Sequence, residues 1–324
     1  MTVAIGARPR AVFFGSPAFA VPCLRAVAAE TELVAVVSQP DRPAGRGQAP
    51  AAPAVKREAE LLGVSVLQPE KLRIAETHQA LAALNADLFV VVAYGRILPQ
   101  TLLDLPRLGP FNVHASLLPR LRGAAPIQWA IIRGESETGV SIMRMEAGLD
   151  TGPVAAVRAL PIADDDTTGT LSVKLAELGA GLLVDTLPAI VSGAATLRRQ
   201  DDGAATLAPI LTKADGIVNF EQPARLVSAH ARGVDPWPGA TTTLGGEPLK
   251  LFAPRLLEAA PGQGGPGTEA PGTIRDVTSA GLIVACGDSV RRLIAFGEIQ
   301  FPGKRRMPAA LARDRLPPGT RLGS

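Results

Sequence analysis

Cysteine is nearly absent from this chain: Cys23 and Cys286 are the only two in 324 residues. They lie far apart, match no metal-ligand spacing and imply no disulfide framework. A reducing, cytoplasmic setting follows as the expectation. Aromatic residues make up only 4% of the chain, and Trp129 reads as a packing residue in a helix rather than a platform for stacked bases. No apolar run approaches the roughly 20 residues needed to span a bilayer. Residues 1–10 lack the apolar core of a signal peptide, so neither a leader nor a membrane anchor is expected. A strong charge imbalance is missing too. The net charge is +3 with a sequence pI of about 9.1, which excludes a polycation but allows an anionic partner where basic residues cluster. Histidine occurs three times, as His78, His114 and His230. His78 falls in a helical pattern and His230 near the start of the C-terminal strands, where structural or exposed roles are expected. That leaves His114.

The first two-thirds of the chain alternates strand and helix patterns. Strands are expected over residues 11–14, 33–37, 64–67 and 88–93, with helices over 18–29, 55–62 and 75–84 between them. The near-continuous β-branched run at 88–93 marks a strand buried on both faces. This βαβα order predicts an α/β fold with a Rossmann-like, mostly parallel sheet and helices on both faces. A further strand should end at His114, followed by a helix over 125–133 and strands over 139–145 and 154–160. Leu171, Leu175, Leu178 and Leu182 share one helical face, and Asp164, Asp165 and Asp166 suit that helix's positive end. Composition then turns polar. The expected division is a catalytic domain over 1–192, a linker over 193–213 and a second domain over 214–324. Hairpin signals around Gly245-Gly246 and strands near 273–277, 282–286 and 290–296 suggest that the second domain is a small β-barrel.

Asn112-Val113-His114 and the run Gly148-Leu149-Asp150-Thr151-Gly152 carry the chemistry. In an open α/β sheet, ligands bind beyond the carboxyl ends of the strands, where Asn112 and His114 are expected. Residues two apart on a strand point to the same side, so the amide and the imidazole can face one cavity. An Asp in a glycine-flanked loop can orient the imidazole, as acids do in triads. The usual nucleophile is missing. Ser116 sits on no Gly-x-Ser-x-Gly elbow, so the attacking group should come with the substrate. Acyl transfer to an amine fits, with Asn112 and His114 donating to the developing oxyanion, a contribution of about 3 kcal/mol per donor. A hydrogen-bonded turn histidine is the competing reading of the same residues. Phe14-Gly15-Ser16-Pro17 follows the first strand but lacks the glycine spacing of a dinucleotide loop.

The surrounding residues carry a resemblance. Gln39-Pro40-Asp41-Arg42-Pro43-Ala44-Gly45-Arg46-Gly47, Val91-Val92-Ala93-Tyr94-Gly95, Asn112 through Pro119, Arg122-Gly123-Ala124-Ala125-Pro126-Ile127-Gln128 and Gly148 through Gly152 together resemble the methionyl-tRNA formyltransferases. These belong to the 10-formyltetrahydrofolate-dependent formyltransferases. Asp235-Pro236-Trp237-Pro238 extends the likeness towards the C-terminus. The resemblance implies that 10-formyltetrahydrofolate donates a formyl group to the methionine amine of initiator methionyl-tRNA. It implies Asn112, His114 and Asp150 as the catalytic set and Ser116, Leu117, Leu118 and Pro119 as the folate-binding stretch. It implies an oligonucleotide-binding-like (OB-like) C-terminal barrel. Arg42 and Arg46 would face the acceptor stem, and Lys304, Arg305 and Arg306 would meet tRNA phosphates, although such charged runs often form only a solvated face. A monomer with no obligate protein partner and no metal is expected. The chain departs from its relatives at Ala115, where glycine is frequent, and after Gly47, where lysines are replaced by Gln48-Ala49-Pro50-Ala51-Ala52-Pro53.

Overall fold

The computed structural model describes residues 8–44, 49–258, 269–287 and 292–323. The chain divides into two compact units, Met1–Pro126 with Thr138–Leu160 and Ser172–Ala208, and Ile127–Glu137 with Pro161–Leu171 and Pro209–Ser324. In chain order it begins with β1 (Arg10–Gly15), α1 (Val21–Glu30) and β2 (Glu32–Val37). A short hairpin of β3 (Arg42–Ala44) and β4 (Ala49–Ala51) follows, then α2 (Ala54–Leu61), β5 (Val66–Leu67), α3 (Ala75–Ala82), β6 (Leu88–Val92) and α4 (Gln100–Leu103). Next come β7 (Gly109–His114), α5 (Pro126–Ile132), β8 (Glu137–Arg144), β9 (Val154–Pro161) and the long α6 (Thr168–Val191).

The first unit is built on a seven-stranded sheet of order β5-β2-β1-β6-β7-β8-β9. Strands β5, β2, β1, β6 and β7 pair in parallel, and β8 joins β7 antiparallel. Leu88–Val92 is at most 3% exposed, as expected of a central strand covered on both faces. Phe14 packs on Phe89 with ring centroids 5.0 Å apart, and meets the Tyr94 ring edge-on at 5.6 Å. The chain moves outwards from β1 to β2 and β5, then returns to β6 and continues to β7. Strand order therefore reverses between β1 and β6, which is where α/β sheets open a crevice. Leu171, Leu175 and Leu182 of α6 are buried, and Leu178 is half-buried. A Cβ on Gly179 would come within 3.0 Å of Val113 Cγ1, so the small residue sets how closely α6 approaches the sheet under the site. Asp166 is buried before the helix. Its carboxylate accepts from Ala163 N at 2.9 Å and Thr170 Oγ1 at 2.9 Å, closing the turn as well as suiting the helix dipole.

The second unit contains α7 (Ala224–Gly233), β10 (Ala240–Leu244), β11 (Glu247–Glu258), β12 (Ile274–Thr278), β13 (Gly281–Val284), β14 (Arg292–Gln300) and β15 (Met307–Pro308). Gly245 and Gly246, with φ of 56° and 81°, make the two-residue turn between β10 and β11 that such left-handed positions favour. Val227, Ala231, Leu249, Leu251, Ile294 and Phe296 belong to its core. The strands run β10-β11-β14-β13-β12, with β15 beside β14, all antiparallel. The second unit is thus an antiparallel sheet of six strands, with no closed ring of paired strands among the described residues. Isolated bridges Leu244↔Leu322 and Thr273↔Arg321 tie residues near the two edges to the chain's last described segment. Sequence patterning did not anticipate α7 or the β3–β4 hairpin. Among the described residues no helix is long and apolar enough to cross a membrane.

Candidate active site

Strand β7 sets Asn112 opposite Val91 and Met143, and His114 opposite Ser141. The chain then turns tightly. Ser116 is fully buried and its hydroxyl donates to the Arg120 carbonyl at 2.6 Å. Ser141 Oγ donates to Ser116 O at 2.7 Å and accepts from Leu118 N at 3.0 Å. The turn returns Leu121 to the imidazole, with His114 Nε2 3.0 Å from the Leu121 carbonyl oxygen. A carbonyl only accepts, so Nε2 carries a proton. That commits one ring nitrogen and leaves Nδ1 as the atom able to exchange a proton.

Nδ1 faces Asp150 Oδ2 at 3.7 Å, with the two side chains 7% and 14% exposed. The separation exceeds hydrogen-bond range and leaves the pair poised rather than joined. Asp150 Oδ2 also accepts from Gly123 N at 2.8 Å. The Asp150 backbone is left-handed, with φ of 52°, a conformation disfavoured by the side chain's Cβ. Its neighbour Gly152 is required by space, because a Cβ there would lie 1.8 Å from Arg144 O. Asn112 is half-buried. Among the described residues no protein group pairs with its carboxamide, which is therefore available to a ligand. The structure thus brings Asn112, His114 and Asp150 to the carboxyl end of β7.

Leu117, Leu118 and Pro119 are half-buried on the same turn, while the Ser116 hydroxyl points into it. An open cleft of about 400 Å³ lies at the reversal of strand order, lined in part by Ser16, Gln39, Arg42, Tyr94 and Arg96. Gln39 Nε2 donates to the Tyr94 carbonyl at 3.1 Å, and its Oε1 is buried with no partner. The Tyr94 ring is core, and burial pushes its phenol above the ordinary value, with Arg96 opposing. Arg42 is exposed on β3. Its neighbour Asp41 is held by Gln68 and Lys56, which keep its carboxyl below the usual range. Arg46 lies outside the described residues. Lys304 and Arg305 are exposed. Arg306 is more constrained: it pairs with Glu298, lies 3.7 Å from Asp235 and stacks 4.2 Å over the Phe252 ring. Among the described residues no cluster of side chains suits a metal ion.

Two residues of this neighbourhood escaped sequence reasoning. Gln200 donates to the carbonyls of Asp150 and Gly152, and Arg122 in turn donates to Gln200 Oε1. Gln200 sits in a polar stretch that reads as linker. The place of Arg122 at the head of the Arg122–Gln128 motif was the available signal.

A buried imidazole facing a half-buried carboxylate, beside an open amide at the carboxyl edge of a parallel sheet, defines a transferase-like site. The chain belongs to the formyl transferase family: residues 10–187 match the formyl transferase model and 210–314 match the formyl transferase C-terminal domain. Among its relatives it is 52% identical to methionyl-tRNA formyltransferase from Anaeromyxobacter sp. (strain K), over 94% of this chain and 95% of the relative. It is 45% identical to methionyl-tRNA formyltransferase from Citrifermentans bemidjiense, over 97% of this chain and 96% of that one. Among solved structures, the fold is similar to WlaRD, a sugar 3N-formyl transferase, with a TM-score of 0.65 at 15% identity, covering 93% of this chain and 100% of WlaRD.

Proposed function

We propose that this protein transfers the formyl group of 10-formyltetrahydrofolate to the methionine amine of initiator methionyl-tRNA, giving formylmethionyl-tRNA for translation initiation. The end-to-end match to methionyl-tRNA formyltransferases, at 52% identity over 94% of the chain, carries this reading. The site agrees with it. The Ser116 hydroxyl is consumed inside its turn, and in this reading the nucleophile is the substrate amine.

The folate supplies an activated formyl group. The unpaired Asn112 carboxamide and the His114–Asp150 pair fit that group, because a carbonyl gaining negative charge needs fixed donors. Asn112 donates an N–H to the formyl oxygen. With Nε2 committed to Leu121, His114 acts through Nδ1, donating when protonated. Asp150 stabilises that protonated ring and offers a carboxylate to the proton leaving the amine; as the new C–N bond forms, the formyl–N10 bond breaks and N10 leaves with a proton as tetrahydrofolate. The buried imidazole and half-buried carboxylate limit the reach of bulk water, which strengthens these interactions.

Ser116, Leu117, Leu118 and Pro119 form the wall for the folate in this reading, with Ser116 shaping the turn. Arg42, Arg46, Lys304, Arg305 and Arg306 form the tRNA contacts. The six-stranded sheet, with edges tied to residues 321–322, is read as an OB-like module within 214–324. Residues 1–192 are the catalytic part and 193–213 the connection. The protein acts as a cytoplasmic monomer with no obligate protein partner. A single-turnover assay with 10-formyltetrahydrofolate and charged initiator or elongator tRNA tests the proposal. Rapid formylation of the initiator is expected. Formylation of a nucleotide-linked amino sugar with neither tRNA modified would overturn it.

A further inference from the structure

We infer that Gln200, clasped by Arg122, is a positioning residue that sets the Asp150 carboxylate against His114 Nδ1. The inference rests on the catalytic reading of that pair. Gln200 is half-buried and uses its whole carboxamide. Nε2 donates to Asp150 O at 2.8 Å and to Gly152 O at 2.7 Å. Oε1 accepts from Arg122 Nε at 3.1 Å and Nη2 at 2.9 Å. Arg122 is 7% exposed, and its charge is met by Asp202 Oδ1 at 2.7 Å from Nη2.

The demand for such a clamp comes from the backbone. Asp150 occupies a left-handed conformation at φ 52°, which persists only where the surroundings over-determine it. Two carbonyls on either side of Thr151 converge on one NH2 group, so the peptide path that aims the carboxylate is held from outside its own loop. A glutamine meets this need because it presents two donors on one atom and an acceptor for the guanidinium on the other. A glutamate would set oxygen against the two carbonyls.

The same short segment governs the partner. Leu121 O receives His114 Nε2, the Arg122 side chain holds Gln200, and Gly123 N donates to Asp150 Oδ2. Residues 121 and 122 are anchored in turn, with Leu121 N on Thr206 Oγ1 at 2.9 Å, Arg122 N on Thr206 O at 2.8 Å and Ala208 N on Arg122 O at 2.7 Å. The segment 200–208 is thus the support on which the imidazole and the carboxylate are mutually aligned.

Formylation kinetics of the full chain test this, using Gln200→Met and Gln200→Glu, each alone and in an Asp150→Asn background. Gln200→Met should lower kcat about 10- to 100-fold, as displaced supports of a reacting group do, with both KM values within about twofold. Gln200→Glu, which keeps the acceptor and loses both donors, should show the same loss and stands in if the Met variant does not fold. In the Asp150→Asn background neither change should slow kcat further. Equal losses in both backgrounds, or a loss confined to KM, would show a general structural role and overturn the inference. If Asp150→Asn is slow and Gln200→Met is not, the clamp alone is wrong. If Asp150→Asn keeps full kcat, the catalytic reading of the pair fails and the clamp fails with it.

Discussion

His114 and Asp150 in the first unit have side chains 7% and 14% exposed, and each is held by a backbone group of residues 121–123. Lys304 and Arg305 in the second unit are exposed to solvent on a loop beyond β14. Under the proposed function, the contrast reflects two kinds of work. Formyl transfer needs reacting groups placed to a fraction of an ångström, so its residues are buried and anchored. Phosphate attraction acts over roughly 8–10 Å at ordinary salt, so its residues need only charge in the right region. Arg306 falls between these cases, with ion pairs and a ring beneath it that fix a guanidinium at the surface.

Removing the buried imidazole tests the anchored side of this contrast most severely. His114→Ala should lower kcat about 10²- to 10⁴-fold while folate binding survives. A rate close to the parent's would remove His114 from the mechanism. On the charged side, Lys304→Ala with Arg305→Ala should raise KM for tRNA several-fold and reduce the slope of log affinity against log salt by about 1 per residue. The rate at saturating tRNA should hold; if it collapses, these residues are not simple phosphate contacts. Arg306→Ala should instead cost about 1 kcal/mol of stability through the lost stacking and partly screened ion pairs, read from the urea midpoint. A change in tRNA affinity as large as that of the Lys304→Ala, Arg305→Ala pair, without a stability change, would place it with these exposed cations.

The smallest effect concerns His230, half-buried on α7 with Nε2 2.7 Å from Asp215 O. Burial lowers its pKa, with Asp215 opposing. The unfolded chain therefore binds the proton more readily, so stability should fall as pH drops below about 6.5 and level off above it. His230→Gln should flatten that acid-side slope. An unchanged slope would assign it to other groups.

Much of the first unit was legible because its strands are short apolar runs separated by turns. Residues 88–92 could only be a doubly covered strand, and Asn112 and His114 had to lie near its neighbour's carboxyl end. The second unit was read less well. Alternating strands reveal hairpins such as Gly245-Gly246, yet nothing local says whether the last strand pairs with the first. Helix α7 also went unseen. Gln200 was invisible as a support because a carboxamide in a polar stretch looks the same whether it meets water or two carbonyls.

The sequence alone determined the alternation that builds a parallel sheet and which residue types, at which positions, are candidates for the chemistry. These depend on side-chain identity and on periods of a few residues. Tertiary structure decided that His114 gives Nε2 to Leu121 and keeps Nδ1 for Asp150. It also decided that Arg122 and Gln200 support the acid, and that Arg306 is tied down while Arg305 is exposed. Each of these depends on partners far apart in the chain, whose meeting is set by the packing of the whole unit and by no local pattern.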